Sequence, residues 1–218
     1  MLQKKCVSKS LLTLLNELQQ AAIFRDYFLV GGTSLALQMG HRRSDDIDLF
    51  TQTEIDKEAI GVFLFENYRN KILVINSQNI IYQVKINDIK VDFVKHPYNL
   101  VEQVKEEENI RYLGKKDIAA MKLRAIENSG NRAKDFVDIY YLLNEITLED
   151  MFDCYKIKYN VNDISSVKRS LGYFDDVPGE SWQEVKMIKC KLPVNKIKKT
   201  ITDKIIEYDK KYIYDNNR

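Results

Sequence analysis

Leucines recur at helical spacing through SLLTLLNELQQAA, so the chain opens on an amphipathic helix running to about Ala22, with Ser10 placed to cap it. Tyr27 to Val30 is a short apolar run of the kind that buries as a strand. Gly31 and Gly32 break it, and Thr33 to Met39 resumes as a helix that ends near Gly40. Polar residues then lead into a second strand, about Ile47 to Phe50, and Ile55 to Tyr68 predicts another helix. Between Lys71 and Lys95 the period changes to alternation. KILVIN, IIYQVKIN and IKVDFVK read as three strands, with Asn87-Asp88 as a turn and Pro97 closing the region. From Lys116 onward helix signals dominate. KKDIAAMKLRAIE and NRAKDFVDIYYLLNEI are two helices joined by a Ser129-Gly130 turn, and after a loop around Pro178-Gly179 the chain ends in the lysine-rich helix NKIKKTITDKIIEYDKKY.

The pattern therefore predicts an α+β fold: a mixed α/β portion over residues 1–110, then a helical C-terminal portion over 111–218 packed on it. With 218 residues, of which 44% are hydrophobic and 30% charged, the chain can bury a real core. Its net charge of +2 does not by itself announce a nucleic-acid binder. Cys6, Cys154 and Cys190 are odd in number, far apart and without a CxxC, which suits free thiols in a reducing cytosol. The apolar run near the N-terminus is broken by Asn16, Glu17 and glutamines, so it reads as a helix and not a signal peptide. No stretch is long enough to cross a bilayer. The expectation is a soluble cytoplasmic protein with no membrane partner.

The candidate chemistry begins with Asp46 and Asp48. Side chains two apart on a strand share a face, about 6.6 Å apart along the chain, so two carboxylates can share one or two divalent cations. Magnesium prefers such hard oxygen ligands and bridges them to substrate phosphates. In IKVDFVK, Lys90, Asp92 and Val94 share one face and Ile89, Val91 and Phe93 the other, so Asp92 offers a third carboxylate from a neighbouring strand. Three carboxylates of this kind suit a two-metal phosphoryl-transfer site. A solvated strand end is the plain alternative for a DxD. The glycine turn just upstream favours the functional reading. Gly31 and Gly32 let backbone approach a phosphate, the first amides of the next helix carry positive partial charge, and Thr33 and Ser34 add hydroxyl donors. Arg42 and Ser44 are candidates for phosphate or ribose contacts, or surface loop residues.

A second signal lies in DIAAMKLRAI. Turned at about 100° per residue, Met121, Ala125, Ile118, Ile126, Ala119 and Leu123 form one apolar arc with Lys122 in its middle, while Ala120 and Arg124 fall opposite. A lysine centred on a buried face needs an anion, a triphosphate or a carboxylate, or must snorkel out. The next helix is apolar nearly all round, so Asp135 and Asp138 are expected to be partly buried and paired, with Lys122 or Arg132 as partners. His41 and His96 form no catalytic pattern.

GGTSLALQMGHRRSDDIDLF resembles the signature of the AbiEii/AbiGii toxin family of bacterial nucleotidyltransferases, within the DNA polymerase β-like superfamily. KDIAAMKLRAI and NRAKDFVDIYYLL resemble its later motifs, and SLGYFDDVP a C-terminal segment, in matching order. The resemblance implies a nucleotidyltransferase core with a mixed β-sheet, flanking helices and a helical C-terminal half. It implies magnesium on Asp46 and Asp48, with Asp92 as third carboxylate, and a phosphate-binding turn at Gly31, Gly32 and Thr33. Lys122 would match the family's third-motif lysine, and Asp135 or Asp138 the fourth-motif aspartate, giving nucleotide or proton-transfer roles. Many members carry Gly-Ser at the turn where this chain has Gly-Gly-Thr-Ser, so Thr33 and Ser34 both stay candidates. The implied partners are an NTP, an acceptor such as the tRNA 3′ end or another RNA, and a cognate antitoxin in a toxin–antitoxin or phage-defence system. Lysines 186, 189, 191, 196, 198 and 199 offer a candidate RNA surface or a solvated charge run. The competing readings are transfer to a small molecule or a protein hydroxyl, and nucleotide binding without turnover.

Overall fold

The computed structural model describes residues 1–78, 80–188 and 192–215. The chain divides into two compact units, one of residues 1–98 and 103–114, the other of residues 99–102 and 115–218.

The first unit is built on a mixed sheet. Its strands are β1 (Phe28–Leu29), β2 (Ile47–Thr51), β3 (Ile72–Gln78), β4 (Ile81–Ile86), β5 (Ile89–Lys95), β6 (Lys105–Glu107) and β7 (Ile110–Tyr112). They lie in the order β3-β4-β5-β2-β1-β7-β6. β2 runs parallel to β5 and antiparallel to β1, and β1 runs parallel to β7. The helices are α1 (Lys9–Gln20), α2 (Gly31–Met39) and α3 (Lys57–Tyr68).

The first helix begins earlier than its leucine pattern suggested. Ser8 is the cap, in extended conformation with its Oγ accepting from Leu11 N at 3.0 Å, and Ser10 lies inside the helix. Its apolar stripe, Leu11, Leu14, Leu15 and Leu18, is buried in the same core as Phe24, Leu29, Leu49, Ile60, Val84, Val91 and Phe93. Phe24 stacks on Phe93 with ring centroids 4.9 Å apart, which anchors the segment leading into β1 against the site-bearing strand β5. Asn87 and Asp88 take φ of 50° and 65°, the pair of positive values that a two-residue hairpin turn needs, and so set the register of β4 on β5.

The hairpin β6–β7 did not show in the sequence pattern, because its strands are three residues each and carry charge. What holds it is a side-chain clamp. Gln19 Oε1 accepts from Arg111 N at 2.7 Å, and Arg111 Nη2 donates to the carbonyls of Gln19 (2.7 Å) and Phe24 (3.0 Å). The bond to Gln19 satisfies a carbonyl that the end of α1 would otherwise leave open.

The second unit is helical: α4 (Lys115–Asn128), α5 (Ala133–Leu142), α6 (Leu148–Tyr159), α7 (Ser165–Leu171), α8 (Gly179–Gln183) and α9 (Val194–Asp215). The Ser129-Gly130 turn is present, with Gly130 at φ +59°. α4 packs against α5, α6 and α7. Coverage on that many sides explains one departure from the helical wheel. Ala120, placed opposite the apolar arc, is fully buried, while Met121 and Ala125 lie half-buried at the rim. α4 also carries an ion pair that the pattern did not signal. Asp117 meets Lys158 of α6 at 2.8 Å, with both side chains fully buried, and its carboxylate accepts the backbone N–H groups of Val101 and Glu102 at 3.0 Å each. Four charge-assisted bonds of this kind, with Lys158 also donating to the Asn99 carbonyl at 3.1 Å, fix residues 99–102 in this unit.

Candidate active site

Asp46 and Asp48 flank the start of β2, both half-buried. Parallel pairing sets Asp48 directly opposite Asp92 of β5, which brings two carboxylate-bearing positions to adjacent strands about 4.8 Å apart. Two strands distant in sequence must align for this, because Asp48 and Asp92 lie 44 positions apart. The same crossing places Gly31, first residue of α2, against Asp48. Gly31 has φ +66°, and a Cβ built there would run into the Asp48 carboxylate, with Cγ only 3.2 Å away. Val30 N donates to the Asp48 carbonyl at 2.9 Å, tying the turn to the strand from the backbone side. No side chain caps α2, so its first N–H groups face the mouth of β2 with the positive end of the helix.

Gly31→Ala is expected to fail twice over. The left-handed backbone costs a residue with a Cβ about 1–2 kcal/mol, and the added methyl displaces Asp48. A urea-unfolding midpoint lowered by that amount or more, together with lost divalent-cation binding, is the expected result; an unchanged midpoint would show that the turn tolerates side chains.

The remaining sequence candidates of this unit are braces around the turn. Thr33 is buried, and its Oγ1 donates toward the Asp46 carbonyl and Ser44 Oγ, the latter at 2.8 Å. Ser34 Oγ donates to the Leu113 carbonyl at 3.1 Å. Both hydroxyl hydrogens thus point at protein acceptors, and the Thr33 bond holds Asp46 to the glycine turn. Arg42 is no surface residue: it is 4% exposed, its Nη1 donates to the Arg43 carbonyl at 3.0 Å, and its guanidinium lies against Gly32. Ser44 is half-buried beside it.

Two residues of the site were missed in the sequence. Lys90 Nζ sits 3.0 Å from Asp92 Oδ2, and Gln83 Nε2 of β4 donates to Asp92 Oδ1 at 2.8 Å. Burial opposes the charge on Lys90, but its bond to Asp92 and the fields of Asp92, Asp48 and Asp46 outweigh that and raise its pKa above the ordinary lysine value. All three carboxylates thus favour the charged form of this lysine. The i, i+2 spacing of Lys90 and Asp92 was the available signal.

Whether magnesium suits these residues follows from the donor set. Among the described residues no three His, Cys, Asp or Glu side chains gather tightly enough for an all-protein cage. Magnesium is commonly held by one or two carboxylates completed by substrate phosphates and waters. Asp46 and Asp48 are hard donors of that open kind, so the group fits.

In the second unit the structure brings Lys122, Asp135 and Asp138 together. Lys122 Nζ meets Asp135 Oδ1 at 2.6 Å and Asp138 Oδ2 at 2.8 Å, all three nearly or fully buried, and Arg132 joins Asp135 at 2.8 Å. The lysine in the apolar arc thus takes carboxylates as its anions and does not snorkel. Of the lysines proposed as a basic surface, Lys196 and Lys199 are exposed, whereas Lys198 lies over the rings of Phe174 and Trp182 at 5.5 and 5.8 Å. Lys189 and Lys191 lie outside the described residues. No described helix is long and apolar enough to cross a membrane.

A family model described as nucleotidyl transferase AbiEii toxin, type IV TA system, matches residues 13–187. An uncharacterised protein of Aquifex aeolicus (strain VF5) is 32% identical over 177 residues, spanning 78% of this chain and 84% of the relative. Among solved structures, a candidate nucleotidyltransferase from Helicobacter pylori superposes with a TM-score of 0.59 at 16% identity, covering 94% of this chain and 96% of that one. MenT4, a nucleotidyltransferase toxin from Mycobacterium tuberculosis H37Rv, does so with 0.58 at 14% identity, covering 88% and 79%. At such identities the structural likeness speaks for the fold.

Proposed function

Because this chain belongs to the nucleotidyl transferase AbiEii toxin family, we propose that it moves a nucleoside monophosphate from an NTP to an acceptor hydroxyl, with Asp46 and Asp48 holding magnesium and Asp92 as the third carboxylate. One observation carries the reading. Asp48 stands in register with Asp92 on a parallel neighbour, and Gly31, at the uncapped start of α2, is pressed against the Asp48 carboxylate. A phosphate chain laid on that helix start meets N–H donors and the carboxylates at once.

Magnesium, when bound, offsets charge on the triphosphate. The chain's own groups do the rest. The amides of Gly31, Gly32 and Thr33 cradle phosphate oxygens, and the Arg42 guanidinium behind Gly32 stiffens that turn. Thr33 keeps Asp46 aimed at the site through its backbone carbonyl. The acceptor hydroxyl oxygen bonds to the α-phosphorus, the bond from that phosphorus to the bridging oxygen breaks, pyrophosphate departs, and the hydroxyl proton passes to a carboxylate, with Asp92 the candidate base.

The acceptor we favour is RNA, with the 3′ end of tRNA as the specific case, and the setting a cytoplasmic toxin–antitoxin or phage-defence system with a cognate antitoxin. The exposed Lys196 and Lys199 suit a phosphate backbone. Incubating the chain with magnesium, total tRNA and each α-labelled NTP in turn tests this. Label on tRNA that Asp46→Ala fails to add is the expected result. Label found only on protein or on small-molecule acceptors would overturn the RNA assignment while leaving the reaction type in place.

A further inference from the structure

Lys90 stands among the carboxylates with no part in the reaction just outlined. It leaves β5 on the same strand face as Asp92, two residues away. Its Nζ is 3.0 Å from Asp92 Oδ2, and Gln83 holds Oδ1 at 2.8 Å. Both oxygens of the third carboxylate are therefore already served by protein donors. The pair is well sheltered on the acid's side, with the Asp92 side chain 12% exposed and that of Lys90 36%. A divalent cation coming to Asp92 would have to evict the ammonium and meet its repulsion at close range.

We propose that Lys90 is a built-in counter-ion occupying the place of a second divalent cation, so that the site loads one such ion, on Asp46 and Asp48, and not two. The inference rests on the reading of those two aspartates as the metal carboxylates. Charge balance supports it. Three carboxylates and one ammonium leave two negative charges in excess, which a single divalent ion offsets. Without the ammonium the surplus is three, and Asp92 Oδ2 loses the donor that Lys90 supplies. Gln83, a neutral donor on the far oxygen, cannot substitute for that charge. Lys90 is thus a positioning residue that sets metal stoichiometry.

Titration of the intact chain with Mn2+, followed by the EPR signal of the free ion, reads the stoichiometry without any turnover. One ion per chain is expected for the wild type and for Lys90→Arg. Two are expected for Lys90→Met, the second at least about tenfold tighter than any second binding in the wild type and lost again when Asp92→Asn is added. Lys90→Gln gives a second neutral variant, and circular dichroism checks that each is folded. Two ions on the wild type, or one on both wild type and Lys90→Met, would overturn the inference and leave the proposed reaction standing. An ion on the wild type that survives Asp46→Ala with Asp48→Asn would overturn both, and no ion on any folded form would overturn the inference.

Discussion

Replacing Asp48 by asparagine is expected to cut nucleotidyl transfer by about 10³-fold or more while leaving the fold intact. The substitution keeps the side chain's volume, so the contact with Gly31 survives. On the proposed reaction, what is lost is one of the two charges assigned to magnesium. Metal stabilisation of phosphoryl transfer is worth several kcal/mol, and each factor of ten in rate corresponds to about 1.4 kcal/mol. Stability is expected to change little, because the repulsion relieved beside Asp46 and Asp92 offsets the attraction to Lys90 that is lost. Single-turnover rates with an α-labelled NTP, set beside thermal unfolding, check both halves. Transfer within tenfold of the wild type would remove Asp48 from the metal site.

Lys122→Ala is expected to lower stability by about 3–5 kcal/mol, the usual penalty for leaving a buried charge without its partner. Arg132 remains to serve Asp135, but Asp138, fully buried and 2.8 Å from the lysine, loses that ammonium. Against a typical total of about 5–15 kcal/mol, that loss is large. Urea unfolding measures it, and adding Asp138→Asn to Lys122→Met should recover part of the deficit of Lys122→Met alone, because one of the two carboxylates that faced the lost ammonium is then neutral. The family resemblance gives Lys122 a place at the nucleotide. An unfolding midpoint equal to the wild type's, with nucleotide affinity lost, would favour that role over the brace that its two carboxylates describe.

Where single-element periodicity was strong, the fold was legible. The leucine stripe of α1, the alternation of β3 to β5, the Asn87-Asp88 turn and the apolar α5 all stood in the residues, as did the DxD and the glycine turn. Lys122 announced itself by violating its own apolar arc. What stayed hidden depends on partners distant in sequence. The burial of Ala120 is set by helices packed on a face the wheel left open. The Asp117–Lys158 pair joins residues 41 apart, and the β6–β7 hairpin is held by a clamp from Gln19 across 92 positions. Periodicity carries no record of such contacts. The same limit explains Thr33 and Ser34. Their hydroxyls looked like phosphate donors because the turn was visible, while their acceptors, the carbonyls of Asp46 and Leu113, were not. It explains Lys90 as well, since a lysine on a strand reads as surface until the register sets Asp92 and Asp48 side by side.

The most direct test of the central claim, that the carboxylates of β2 and β5 carry out nucleotidyl transfer, follows both products at once. Label incorporated from an α-labelled NTP and pyrophosphate released are measured together for the wild type and for Asp46→Ala. Equal amounts of the two products from the wild type, and neither from the variant, is the result expected here. Label reaching the acceptor from the γ-position, or Asp46→Ala matching the wild type in both products, would contradict it.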